Sequence, residues 1–298
     1  MTVAKLKVVF AVERFVPDPP TKRGYYGRLV LRQAQLLSIT EQSRIKRARV
    51  LIVGLGGNGG HAAESLARYG VGHLRLVDPD RVETSNLNRQ PYYRSDIGRT
   101  KVSSAAQNLL RINPQIGISV NQCRLSEPNA PKFLRGMDVI VDAADDYRAK
   151  VALCREAKKR NLPVTHTAGA GWRASVTTFF PSGPTYEEMF DLPSKGRQLS
   201  EVGEEEFLNH RKRVASVIGN GMYSDKIIEG MNSLTSPWQT TAAPCIVGGA
   251  IAAAEVVKLV AGRADLVIAA PSILQIDFLR NTYTIFEFGR DGKKSSYT

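Results

Sequence analysis

The stretch Val50-Leu-Ile-Val-Gly-Leu-Gly-Gly-Asn-Gly-Gly60 decides the fold. Its apolar run at 50–53 reads as a buried strand, and a turn of glycines follows at once. Beyond the glycines, Ala62, Ala63, Leu66 and Ala67 recur at helical spacing, so a helix starts near Gly59 and runs to about 69. Backbone amides at such a helix start bind phosphate, because their N–H groups lack partners and the helix dipole favours negative charge. The next strand, 73–77, ends in Asp78-Pro-Asp80, where a carboxylate would hold a ribose hydroxyl. Then comes Asn86-Leu-Asn-Arg-Gln90. The glycines alone would suggest only a dinucleotide fold; this polar cluster narrows the reading to a nucleotide-consuming enzyme.

Working outward, strands at 50–53, 73–77, 116–121, 138–141 and 162–165 alternate with helices at about 59–69, 99–112 and 146–159. Such alternation implies right-handed crossovers and a mainly parallel sheet flanked by helices, an α/β Rossmann-like class. Residues 25–47 read as helical, with Leu29, Leu31, Leu36, Leu37 and Ile45 as an approximate apolar face. Before them, 1–24 form a short strand-like run and a proline-rich linker. The remainder, 25–298, reads as one domain. Within it, 181–243 is expected to be an irregular segment with one or two helices near the active cleft. A core helix at about 245–261 stops at Gly262, a C-terminal antiparallel hairpin pairs 273–278 with 283–288, and 289–298 is expected to fray.

Composition sets limits. The 298 residues can bury a substantial core, and 43% apolar with 23% charged residues is ordinary for a globular protein. No apolar run reaches the roughly 20 residues of a membrane helix, so no membrane partner is expected. Cys123, Cys154 and Cys245 form no Cys-x-x-Cys pair, which supports neither zinc nor disulfides and suggests a cytoplasmic location. The formal charge of +13 would attract polyanions such as tRNA, acidic peptides or nucleotides, or only keep the surface solvated.

Taken together, five motifs resemble those of the ubiquitin-activating-enzyme-like adenylyltransferase superfamily, which includes ThiF and MoeB. They run in the family's order from about 25 to 262: Tyr26-Gly-Arg28, the glycine loop 54–59, Asp78-Pro-Asp80 with Asn86 to Gln90, Gly98-Arg-Thr-Lys101, and Asp142-Ala-Ala-Asp145. The resemblance implies attack of a carboxylate on the α-phosphorus of ATP, with cations and N–H donors stabilising the charge that builds on the phosphoryl oxygens. Gly54, Gly56, Gly57 and Gly59 would admit the nucleotide to the backbone, and Asp78 would accept from the ribose, with Asp80 beside it. Asn86, Arg89 and Gln90 would contact ribose and phosphates, Lys101 would supply positive charge, and Asp145 would ligate Mg²⁺. Arg28 would reach the ATP of a partner subunit, making a homodimer the working unit. Asp142 reads as a satisfied core or cap carboxylate rather than a catalytic one.

Departures from the family's pattern sharpen the expectation. Pro184-Thr-Tyr-Glu-Glu-Met-Phe190 stands where zinc-binding relatives carry a cysteine pair, and the tail after Phe288 has no cysteine, so no zinc is expected. No transfer cysteine lies within 181–243. Cys245 reads as a buried small hydrophobe, with a nucleophile as the alternative. Asp146 replaces the asparagine usual after Asp145. These losses favour members that use the adenylate directly, such as those maturing peptide antibiotics of the microcin and pantocin types, so a peptide substrate leads. An N-terminal strand at 6–12 would suit peptide capture by edge addition. The alternatives are a tRNA-cyclising enzyme, a sulfur-carrier adenylyltransferase and, from other classes, an NAD-dependent oxidoreductase or a nucleotide-binding scaffold.

Overall fold

The computed structural model describes residues 24–209, 239–288 and 294–297. The proposed capture strand at 6–12, the linker before 24, and residues 210–238 of the expected irregular segment lie outside the described residues. Nine strands form one sheet: β1 Arg49–Val53, β2 His73–Val77, β3 Gly117–Asn121, β4 Val139–Asp142, β5 Val164–Ala170, β6 Arg173–Phe179, β7 Ser272–Asp277, β8 Thr282–Phe288 and β9 Lys294–Tyr297. Their order is β3-β2-β1-β4-β5-β6-β7-β8-β9. The first five are parallel and every later pair is antiparallel.

Alternation along β1 explains why the sheet must be covered on both faces. Leu51 and Val53 enter one core, Val50 and Ile52 the other, and all four are buried. Fully burying each such side chain contributes about 1.5–3 kcal/mol. The Leu51 face is covered by α5 (Ala130–Leu134) and α6 (Tyr147–Lys159). The Val50 face is covered by α3 (Gly57–Tyr69), α4 (Lys101–Ile112) and α8 (Ala242–Ala261). Strand order reverses at β1, with β2 on one side and β4 on the other, so a crevice opens at the carboxyl ends of those strands.

Several expectations need correction. The helix read over 25–47 is broken into α1 (Tyr25–Leu29), a 3₁₀ turn at Leu31–Gln33 and α2 (Ile39–Arg47). Ser38 restarts the chain with a capping box, its hydroxyl accepting from the Glu41 amide while Glu41 accepts from the Ser38 amide. Leu31 and Leu36 are consequently exposed rather than parts of one buried face, whereas Ile45 is fully buried. Strand β5 runs five residues past the expected end at 165, and β6 and α5 were not foreseen. The antiparallel part is thus wider than a hairpin. The expected frayed tail instead contains β9, paired to β8 from Ile285↔Tyr297 to Phe288↔Lys294, which removes a long exposed edge. Between 181 and 209 the chain forms a short helix, α7 (Tyr186–Met189), and a 3₁₀ turn at Leu199–Glu201.

Helix α8 also departs from the expectation that no segment could span a membrane. Its 20 residues and mean hydropathy of 1.7 would suffice by length and composition. Its packing is that of a core helix. Gly248 and Gly249 let it lie against the start of α3, where a Cβ at Gly249 would strike the backbone of Asn58 and Ala62. Ala252, Ala253 and Val256 are wholly buried, the last two in the second core.

Candidate active site

The crevice at the switch point holds a cleft of about 670 Å³. Of the residues expected there from the sequence, Gly54, Gly56, Gly57, Asp78, Asp80, Asn86, Arg89, Gln90, Lys101 and Asp145 all line it, and Gly59 and Arg28 do not. The glycines divide by what a side chain would meet. Gly54 is left-handed (φ +86°) and its Cβ would stand 2.5 Å from the Ala143 carbonyl oxygen. Gly59 is required because a Cβ would strike the Gly54 carbonyl, and Gly57 because it would strike the Cys245 thiol. These three serve close packing of strand, helix and loop. Only Gly56, the N-cap of α3, faces open space within the cleft, its nearest neighbour being Gln90 Nε2 at 3.9 Å. It is there that a ligand can approach the backbone.

Asp78 ties the loop in place. One carboxylate oxygen accepts from the Leu55 amide at 2.6 Å and the other from the Asp80 amide at 2.8 Å. Burial pushes its pKa up, against the pull of the Lys101 ammonium and those two amides. Each oxygen keeps a second lone-pair site, so a hydroxyl can still donate to it. Lys101, 7% exposed at the start of α4, reaches back to Asp80 at 2.8 Å. Arg89 donates to the Ser85 carbonyl and to Asn88 Oδ1, both at 2.8 Å. Gln90 is 8% exposed, and its buried side-chain oxygen has no hydrogen-bond partner among the described residues. Such an orphan at a cleft wall is a place for a ligand donor.

The loop after β4 supplies the acidic side. Asp145 is exposed and makes no recorded hydrogen bond among the described residues. Asp146 caps α6, accepting from the Arg148 and Ala149 amides at 2.8 and 3.4 Å, and pairs with Arg124 at 2.8 Å. An aspartate in the asparagine position therefore keeps the capping role. Asp146→Ala is expected to lower stability by about 1 kcal/mol and Asp146→Asn by only a few tenths, read from urea unfolding. A loss of similar size in both would refute the cap.

Four carboxylates (Asp78, Asp80, Asp145, Asp146) and three cations (Arg89, Lys101, Arg124) line the cleft among the described residues. A bare triphosphate would meet a mixed, slightly acidic wall, so a divalent cation fits the charge balance. Asp145, an unpartnered hard oxygen donor, suits Mg²⁺, which takes one or two carboxylates with phosphate oxygens and water. No cluster of three or more His, Cys, Asp or Glu side chains able to hold a metal occurs among the described residues.

Cys245 is 2% exposed and lines the cleft, with Thr240 Oγ1 3.8 Å from its sulfur. Burial raises its thiol above the ordinary value, outweighing Thr240 and Arg89. That favours the small buried hydrophobe over a nucleophile. Asp142 is fully buried and satisfied, as read from the sequence, but its partners were missed: Lys150 at 3.3 Å and His166 at 2.8 Å. Arg124, Asn58 and Thr240 were also missed as wall residues. For His166 a signal existed, since it stands level with Asp142 on the neighbouring parallel strand, near the carboxyl ends where such sheets bind ligands.

Residues 30–296 match the model of the ThiF family. The chain belongs to the ThiF family. Among relatives, the SAMP-activating enzyme E1 of Haloferax volcanii is 36% identical over 157 residues, 52% of this chain and 58% of that one. The adenylyltransferase and sulfurtransferase MOCS3 of Culex quinquefasciatus is 32% identical over 204 residues, 67% of this chain and 46% of that one. The chain thus spans about half the length of these named relatives. Crystal structures of Escherichia coli MccB (TM-score 0.67, 22% identity, 92% of this chain and 72% of that one) and of PaaA (0.65, 22%, 90% and 74%) share the Rossmann-like ThiF fold.

Proposed function

We propose that this ThiF-family protein adenylates a substrate carboxylate with ATP, releasing pyrophosphate and forming an acyl-adenylate. The observation that carries the reading is the meeting, in one cleft, of the open Gly56 face at the α3 N-terminus with Lys101 and Asp145. The free amides of the first turn of α3 would hold phosphate. Lys101, drawn from Asp80 to the incoming nucleotide, and Arg89 would meet the charge developing on the α-phosphoryl oxygens. The Gln90 oxygen and the spare Asp78 lone pairs would receive nucleotide donors. Asp145 would hold Mg²⁺, which supplies charge neutralisation at the phosphates.

The leading substrate is a peptide whose adenylate is then attacked from within. Crystal structures exist of MccB with ATP and with the peptide MccA, which supports this choice, as does the chain's formal charge of +13. The names of the sequence relatives favour a second reading, a sulfur-carrier protein as substrate. A tRNA substrate rests on charge alone. For the working unit we infer a homodimer, in which Arg28, on α1 and away from the cleft wall of its own chain, serves the partner's cleft.

The test is ATP–pyrophosphate exchange with MgATP and, in turn, pentapeptides covering the twenty C-terminal residues, bulk tRNA, and a sulfur carrier ending in Gly-Gly. Exchange stimulated by peptide supports the leading reading, and exchange with the carrier alone replaces it. Tighter binding of NAD than of ATP by calorimetry would overturn adenylation altogether. An equal mixture of Arg28→Ala and Lys101→Met proteins should recover about a quarter of wild-type exchange, since about half the dimers are mixed and each of those keeps one intact cleft. No recovery would remove Arg28 from the partner's site.

A further inference from the structure

A side chamber of about 160 Å³ adjoins the cleft, with Asn58, Asp145 and Gly169 lining both. Lys150 and His166 on its wall, and Asp142 buried behind them, are groups that adenylation does not use. Asp142, at the end of β4, is completely buried, while Lys150 on α6 and His166 on β5 are each 6% exposed. The Lys150 ammonium lies 3.3 and 3.4 Å from the two Asp142 oxygens, and His166 Nδ1 lies 2.8 Å from Oδ2. Nδ1 also stands 3.5 Å from the Lys150 ammonium, too far and too poor in acceptors to compete with a carboxylate at 2.8 Å. The proton therefore sits on Nδ1, donated to Asp142, and Nε2 is left with its lone pair. The hydrogen bonds recorded for the ring among the described residues all fall on Nδ1 and none on Nε2, and His166 lines the chamber.

The Tyr186 ring from α7 stands edge-on to the imidazole at 5.4 Å, and Tyr147 from α6 and Asp145 from the loop after β4 line the same chamber. Burial and the Lys150 ammonium push the imidazole below its ordinary value, and Asp142 pulls it back only in part. The ring is thus neutral near pH 7. The contacts of the ring with Tyr186 and Asp142 account for its face and for Nδ1, and leave Nε2 unexplained. The Asp142–Lys150 pair already balances its own charge, and a third polar group with an unpartnered nitrogen adds desolvation.

Adenylation does not call for a base either, because a substrate carboxylate is already ionised at pH 7. What requires one is the next step, in which a neutral N–H or O–H group attacks. We propose that His166, oriented by Asp142, is the general base of that step. As the substrate's own nucleophile bonds to the acyl carbon, its proton passes to His166 Nε2. The bond from that carbon to the phosphate oxygen breaks, and AMP leaves with the electron pair. Lys150 keeps Asp142 ionised, and so is a positioning residue. The proposal rests on the adenylation reading and names the residue that completes it.

The experiment offers the pentapeptide pool and MgATP to wild-type, His166→Gln and His166→Ala proteins, with and without hydroxylamine. Hydroxylamine converts an acyl-adenylate to a hydroxamate without help from an enzymic base. Both variants should keep wild-type hydroxamate yields while dehydrated product forms about 10²–10⁴-fold more slowly. Imidazole should restore product in His166→Ala, because the emptied chamber can take it, and not in His166→Gln. Single-turnover product formation by the wild type should fall as pH drops below about 6.5, with no such fall in the variants. Unchanged product formation overturns the proposal, as does joint loss of hydroxamate and product in both variants. Wild-type protein that gives no hydroxamate from any peptide fails earlier, at peptide adenylation, and takes this proposal with it.

Discussion

Replacing Lys101 with methionine is expected to slow ATP–pyrophosphate exchange by about 10²–10³-fold, the usual cost of removing one donor aimed at developing charge. The substitution keeps the buried stem and removes the ammonium. Its only ion-pair partner recorded among the described residues, Asp80, is 57% exposed, so the freed carboxylate stays hydrated. Stability should therefore change by only about 0–1 kcal/mol. Asp145→Ala should be as damaging to exchange and milder still to the fold, since that side chain is exposed and makes no recorded hydrogen bond among the described residues. Raising Mg²⁺ should recover part of the exchange in Asp145→Asn, which keeps one oxygen donor, and none in Lys101→Met. Exchange within threefold of wild type in either alanine or methionine protein, measured with the stimulating peptide, would remove that residue from the phosphate site.

Sequence patterns exposed the parallel half of the fold because its central strands β1 and β4 are buried on both faces and read as short continuous apolar runs, Val50 to Val53 being the clearest. The helix ends were less legible. Capping at Asp146 and Thr100 is set by one side chain each, and α3 begins two residues before Gly59 because glycines carry no apolar signal. The antiparallel half hid for another reason. Strand β6, with Arg173, Ser175 and Thr177 beside Ala174 and Val176, is buried throughout, yet half its residues are polar. Its buried arginine pairs with Asp277 on β7 at 2.8 Å, a pairing that no local pattern announces. The site divides in the same way. Residues in contiguous motifs could be read directly, whereas Lys150 and His166 join Asp142 only after three elements pack.

The same buried set governs stability. Asp142→Ala is expected to lose about 3–5 kcal/mol at pH 7.5, because Lys150 would keep a buried charge with no carboxylate beside it. Replacing both partners, Asp142→Leu with Lys150→Met, should recover most of that loss, since no uncompensated charge remains. The wild type should also weaken on acidification in two stages. His166 is buried with its pKa lowered by burial first and Lys150 second, so the folded state resists the proton that the unfolded chain takes up. The stability this represents is intact above about 6.5 and is lost as pH falls from there towards the lowered folded value. Burial alone would raise Asp142, but Lys150 and His166 outweigh it and hold the carboxyl down at about 2. That contribution is intact above the unfolded value of about 3.9 and disappears as pH falls through about 2. His166→Gln should flatten the first stage and leave the second. Urea unfolding between about pH 8 and 2 reads both stages, and an Asp142→Ala protein within about 1 kcal/mol of wild type at pH 7.5 would show that the buried carboxylate holds nothing together.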